Sequence, residues 1–132
     1  MVDKEENHVP GAKDDMDKPR LDLVLGDFKK ALWDVGLVGT FGAKKYSDRG
    51  WKHVDNAVER YLSAMLRHYF HYKNGEELDD ESGLPHLTHM AWNALAVCEL
   101  TQEYKLARMN PGSIYEVAVD HRDFKPILKE QK

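Results

Sequence analysis

The sequence predicts an all-α domain, and three observations carry that prediction. Three long stretches place apolar side chains close to the 3.6-residue helical period. Gly, Pro and Asn punctuate the chain between them. One short segment alone, residues 114–119 (IYEVAV), has the β-branched and aromatic character of a strand. The expected architecture is a three-helix core of antiparallel helices. A flexible N-terminal arm (1–20) precedes the core (21–109), and a short C-terminal extension (110–132) follows it.

The first helix is expected over 25–45, where Phe28, Ala31, Leu32, Val35, Val38 and Phe41 keep the period. Gly36, Gly39 and Gly42 fall in its second half. Each weakens a helix by roughly 1 kcal/mol relative to Ala, so a break or a close helix contact is expected there. Residues 44–51 (KKYSDRGW) read as a loop, with Ser, Asp and Gly in turn positions. The second helix, 55–73, carries one apolar stripe of Val54, Val58, Leu62, Met65, Tyr69 and Tyr72. Asn74 or Gly75 can end it in a left-handed cap. Pro85 suits the first turn of the third helix, which runs to about 108. Its middle, 90–100, is apolar nearly all round and should be covered on several sides. Three helices give it too little cover, so a homo-oligomer is expected.

Composition narrows the function classes. The chain has 132 residues, 42% of them hydrophobic and 32% charged, which suits one soluble globular domain. A single cysteine, Cys98, excludes an internal disulfide and points to a reducing, cytoplasmic setting. No apolar run approaches the ~20 residues of a membrane span. The net charge of −4 argues against a general nucleic-acid partner. Local charge is more telling. Residues 44–73 hold seven Lys or Arg against three acids, and residues 76–81 then hold five acids in six positions. Such a succession suits a polyanion held partly through a metal ion, although solvated surface of compensating sign gives the same pattern.

The site candidates follow from helical geometry. Arg60, Arg67, His68 and His71 share one flank of the second helix, where a phosphate could sit. His86, His89 and Asn93, spaced i, i+3, i+7, share one strip of the apolar third helix and must find partners there. A loop of about ten residues makes the two helices an antiparallel pair. It brings Arg67, His68 and His71 beside His86 and His89, with Asp79, Asp80 and Glu81 closing the same end. That end is the candidate for metal and phosphate. The competing explanation is a hydrogen-bond network that only satisfies buried histidines. The phosphate-loop and dinucleotide signatures are absent, as are zinc-type spacings and a serine-hydrolase elbow.

Four blocks occur in order: KDDMDKPRLDLV (13–24), FGAKKYSDRGW (41–51), RYLSAMLRH (60–68) and GEELDDESGLPHLTHMAWNAL (75–95). Together they closely resemble the phage-associated dATP/dGTP diphosphohydrolase N-terminal domain family. The resemblance spans roughly residues 13–100 and implies a role in deoxynucleotide pool control. It also implies a distant similarity to the all-helical MazG-like pyrophosphatases. Those enzymes cleave between the α- and β-phosphates with Mg²⁺ held by an ExxE…ExxD carboxylate set. This chain departs from that set: His86-x-x-His89 stands where ExxD is expected, and past Asp55 at its start the second helix offers only Glu59 as a carboxylate. Mg²⁺ prefers oxygen ligands, whereas Mn²⁺ accepts imidazole more readily.

Two functions of different class follow. The first is metal-dependent hydrolysis of purine (deoxy)nucleoside triphosphates such as dATP and dGTP to monophosphate and pyrophosphate, in a bacterial or phage-infected cell. Asp79, Asp80, Glu81, His86 and His89 would hold Mg²⁺ or Mn²⁺, with Glu81, His86 and His89 as catalytic groups. Lys44, Lys45, Arg60, Arg67, His68 and Asn93 would bind the nucleotide, with Tyr46 or Trp51 stacking on its base. Lys18 and Arg20, beside the rigid Pro19, would clamp it from the arm. The second is a non-catalytic nucleotide-binding or accessory protein that uses the same cationic flank.

Overall fold

A computed structural model describes residues 10–16 and 18–105, and it is all-α. Its elements are α1 (Asp22–Leu25), α2 (Lys29–Lys45), a 3-10 turn (Gly50–His53), α3 (Ala57–Lys73) and α4 (His86–Lys105). No strand occurs among the described residues; Leu78 and Pro85 form one isolated antiparallel bridge. The expected strand at 114–119 and the C-terminal extension lie outside the described residues. No helix in the described residues is long and apolar enough to cross a membrane.

Two details of the first helix differ from expectation. It begins at Lys29 rather than near residue 25, with the short α1 as a separate turn before it. It also runs unbroken through Gly36, Gly39 and Gly42 to Lys45, so residues 44–45 are helical. The glycine cost is outweighed by packing on α4. Val38 is buried, and a side chain at Gly39 would sit in ordinary contact with the Trp92 indole.

α3 ends as its sequence requires. Gly75 takes the left-handed conformation (φ 92°), its N–H donates to Tyr72 C=O, and Glu76 N–H donates to His71 C=O. These two bonds are a Schellman cap, which settles the choice between Asn74 and Gly75. The following loop is pinned to itself. Asp79 N–H donates to Leu84 C=O and His86 N–H to Glu77 C=O, at 2.8 and 2.9 Å. Pro85 lies one residue before α4, and its carbonyl accepts the N–H groups of Thr88 and His89. α3 and α4 are antiparallel. His71 pairs with His86, while Tyr61, farther back along α3, meets Trp92, farther forward along α4.

The expected all-round cover of α4 is not present in one chain. Its exposed face carries Leu87, Ala91, Leu95 and Cys98, because α2, α3 and the 3-10 turn pack on its other sides. Five described side chains are buried, and three of them, His86, His89 and Asn93, are polar. The best-covered place in the fold is therefore the polar strip rather than an apolar core.

Candidate functional site

The spacing of the histidines on α3 and α4 builds the centre of the site. His68 and His71 are i, i+3 on the last turns of α3, and His86 and His89 repeat that spacing at the start of α4. His68 stacks on His89 with centroids 4.4 Å apart and planes 11° from parallel. His71 stacks on His86 at 4.9 Å and 9°. Across the pair, His68 Nδ1 lies 2.8 Å from His86 Nδ1. His86 is only 2% exposed, and its Nε2 is buried with no hydrogen-bond partner.

The loop supplies the oxygen side. Asp79 Oδ2 accepts the Ser82 N–H at 2.8 Å and the Ser82 hydroxyl at 2.9 Å. The Ser82 oxygen also lies 2.7 Å from His89 Nε2. His71 Nδ1 is 3.0 Å from Glu76 Oε1 just past the helix cap. Asn93 is held inside α4, its Nδ2 donating to His89 C=O at 2.8 Å.

Electrostatics keeps His68 and His89 neutral and Asp79 charged. Burial, reinforced by His89 and His86, pushes the His68 imidazole down to about 4. Burial lowers His89 as well, against the attraction of Asp79. Burial would raise Asp79, but Ser82's backbone and hydroxyl donors, with His89 and His68, hold it below the usual carboxylate range. Neutral imidazoles facing an ionised carboxylate are in the state that binds cations. Two groupings have ligand atoms within 4.8 Å of one another: His68, Asp79 and His86, and His71, Glu76 and His86.

Beside this cluster opens a cleft of about 910 Å³ between α2, the 3-10 turn, α3 and α4. Trp51, Tyr61 and Trp92 form one wall in mutual edge contact, with centroids 5.5–6.3 Å apart. Tyr61 fixes that wall by donating its hydroxyl to Trp51 C=O at 2.9 Å. Arg60 and Arg67 line the cleft while remaining exposed, and His68, His89 and Asn93 line it from the buried side.

The structure thus brings Arg60, Arg67, His68, His89, Asn93, Trp51, Lys45 and Tyr46 to one cleft. Other expected site residues are placed elsewhere. Glu81 pairs with Lys45 at 2.6 Å, which raises the Lys45 ammonium, and this joins the loop to the end of α2. Asp80 and Lys44 are exposed and belong neither to the cleft lining nor to the two ligand groupings. Lys18 is exposed, and Arg20 pairs locally with Asp22 at 2.8 Å, away from the cleft. Ser82, Glu76 and Trp92 were not singled out by the sequence. The Asp79-x-x-Ser82 spacing, at which a carboxylate can cap an N–H three residues on, was the available signal for the first.

Comparison with known proteins gives a family. The family described as "dATP/dGTP diphosphohydrolase, N-terminal" matches residues 8–110. A protein of Salmonella phage PMBT28 named dATP/dGTP diphosphohydrolase is 33% identical over 83 residues, covering 63% of this chain. The aligned part spans only 27% of that relative's length. No solved structure matches the chain. With more than three quarters of its length matched, and its histidine strip and loop inside the match, the chain belongs to the dATP/dGTP diphosphohydrolase N-terminal family.

Proposed function

We propose that this chain binds purine deoxynucleoside triphosphates in the cleft and, with a divalent cation, hydrolyses them to monophosphate and pyrophosphate. The observation that carries the reading is the make-up of one cleft: an aromatic wall, two arginines and a histidine-lined end share about 910 Å³. That volume suits a drug-sized ligand or a nucleotide. Trp51, Tyr61 and Trp92 offer the apolar surface for a base, and Arg60 and Arg67 offer guanidinium forks for phosphate oxygens. The purine and deoxy preference rests on the family and on the phage relative's name.

The residues fit a cation of imidazole-tolerant type. His68, His86 and Asp79 would hold it, and the partnerless Nε2 of buried His86 is the polar atom still lacking a contact. Two nitrogens and one carboxylate suit Mn²⁺ and related ions better than Mg²⁺. Bound there, such an ion supplies charge neutralisation at phosphoryl oxygens. The chain's own residues do the rest: Arg60 and Arg67 take up phosphate charge, the aromatic wall excludes water from the base, and neutral His89 offers a proton acceptor at the cleft wall.

A second reading, nucleotide binding without hydrolysis, is supported by the chain's spanning about a quarter of the phage relative's length. We also read the chain as a homo-oligomer, on the strength of the open apolar face of α4, and as acting in the cytoplasm of a bacterial or phage-infected cell, a reading that the phage relative supports. Incubation of dGTP or dATP with Mn²⁺ or Mg²⁺, scored for products, separates the readings. Monophosphate and pyrophosphate are expected. Intact nucleotide with measurable affinity favours the binding reading, and no affinity sinks both.

A further inference from the structure

The Ser82 hydroxyl has one proton to give and two lone pairs to receive. Three groups surround it: Asp79 Oδ2 at 2.9 Å, the Leu84 N–H at 3.1 Å and His89 Nε2 at 2.7 Å. Asp79 as a carboxylate can only accept, so the hydroxyl proton goes to it. The Leu84 N–H can only donate, so it takes one lone pair. The other lone pair faces His89 Nε2, which must therefore carry a hydrogen.

We infer that Ser82 is a positioning residue that holds His89 as its Nε2–H tautomer and leaves the Nδ1 lone pair to the cleft. Three observations agree with that placement. His89 lines the cleft. Its Nδ1 meets no hydrogen-bond partner among the described residues, and unlike His86 Nε2 it is not a buried partnerless atom. The ring cannot turn over without losing Ser82, and the parallel His68 ring 4.4 Å away covers one face of it. Whatever His89 meets in the cleft, it meets as an acceptor through Nδ1. A water or a ligand N–H or O–H fits that nitrogen; a ligand carbonyl does not. Under the function proposed above, on which this part rests, His89 orients the attacking water by accepting its hydrogen, and Ser82 fixes the direction from which it does so.

The tautomer is read directly by long-range ¹H–¹⁵N correlation of the metal-free chain labelled at histidine, at neutral pH. The expected result is one ring, assigned through His89→Gln, with a bare Nδ1 and a protonated Nε2. Ser82→Thr, which keeps the hydroxyl, preserves the pattern; Ser82→Ala moves it towards a mixture or the Nδ1–H form. A His89 already carrying hydrogen on Nδ1 in the wild type overturns the inference, and so does a Ser82→Ala spectrum identical to wild type. If Ser82→Ala fails to fold, the wild-type and Ser82→Thr spectra decide the matter. In activity, Ser82→Ala should lower kcat by up to about a hundredfold, the low end of what a positioned acid or base contributes, with KM little changed. Absence of turnover in the wild type removes the proposed hydrolysis and leaves the tautomer result standing, so the two failures are distinguishable.

Discussion

His68 and His86, eighteen residues apart and on different helices, face each other Nδ1 to Nδ1 at 2.8 Å. Two bare ring nitrogens repel at that distance. One proton, or one cation shared with Asp79, makes the contact favourable. The pair is thus the most direct place to test cation binding.

Mn²⁺ or Co²⁺ at a hundred times its Kd should stabilise the folded chain by about 2.7 kcal/mol. Removing His86 or His68 by substitution with Ala should abolish that increment. Thermal unfolding with the ion and with a chelator measures it. A metal-induced rise in Tm that survives in both variants excludes the His68–Asp79–His86 grouping.

Acid should weaken the metal-free protein in a defined window. His68 takes its proton near 6.5 in the unfolded chain and only at about 4 in the folded one. Between those values the unfolded chain binds more protons, so its contribution is complete above 6.5 and is lost as pH falls towards 4. Denaturant midpoints in chelator should fall across that interval, and less steeply in His68→Gln. Equal slopes would assign the acid sensitivity to other groups.

Gly36 and Gly42 separate stability from binding. A methyl group at either position meets nothing within 4 Å, yet both residues line the cleft. Gly36→Ala and Gly42→Ala should each stabilise α2 by up to about 1 kcal/mol. They should also weaken nucleotide binding, because the added methyl occupies cleft space. Stabilised variants with unchanged affinity would place the ligand away from α2.

The open face of α4 predicts self-association. Leu87 and Leu95 are 49% and 54% exposed in the single chain. Light scattering of the wild type should give more than the monomer mass, and Leu95→Arg should shift it towards monomer. A wild-type monomer at micromolar concentration contradicts the prediction.

Much of this arrangement was legible in the sequence because it is set by local rules. The α3 stripe, the Gly75 stop and the i, i+3 histidine spacing need only helical geometry to interpret. The misread features depend on partners distant in sequence. Gly36, Gly39 and Gly42 left a break and a close helix contact both open, and only the packing of α4, with Trp92 against Gly39, selects the contact and keeps the helix whole. Glu81 looked like a ligand among five neighbouring acids, while its position beside Lys45 is fixed only when α2 and the loop meet. The closed hairpin was legible enough to put His68 beside His86 and Asp79, and the structure adds that their ligand atoms lie within 4.8 Å of one another. Ser82 is a small polar residue in a turn, and its bond to His89 spans the loop and the first turn of α4.

The self-pinned loop between α3 and α4 bears on how a ligand enters. Its Asp79–Leu84 and Glu77–His86 backbone bonds, with the Schellman turn behind them, tie it to itself and to the end of α3. α2 packs on α4 but touches α3 little, so the doorway lies between α2 and α3. A ligand using that doorway would pass the Lys45–Glu81 pair, which ties the end of α2 to the loop. Amide exchange should accordingly be slow at Asp79, Gly83 and His86 and faster along α2, with nucleotide slowing α2 alone.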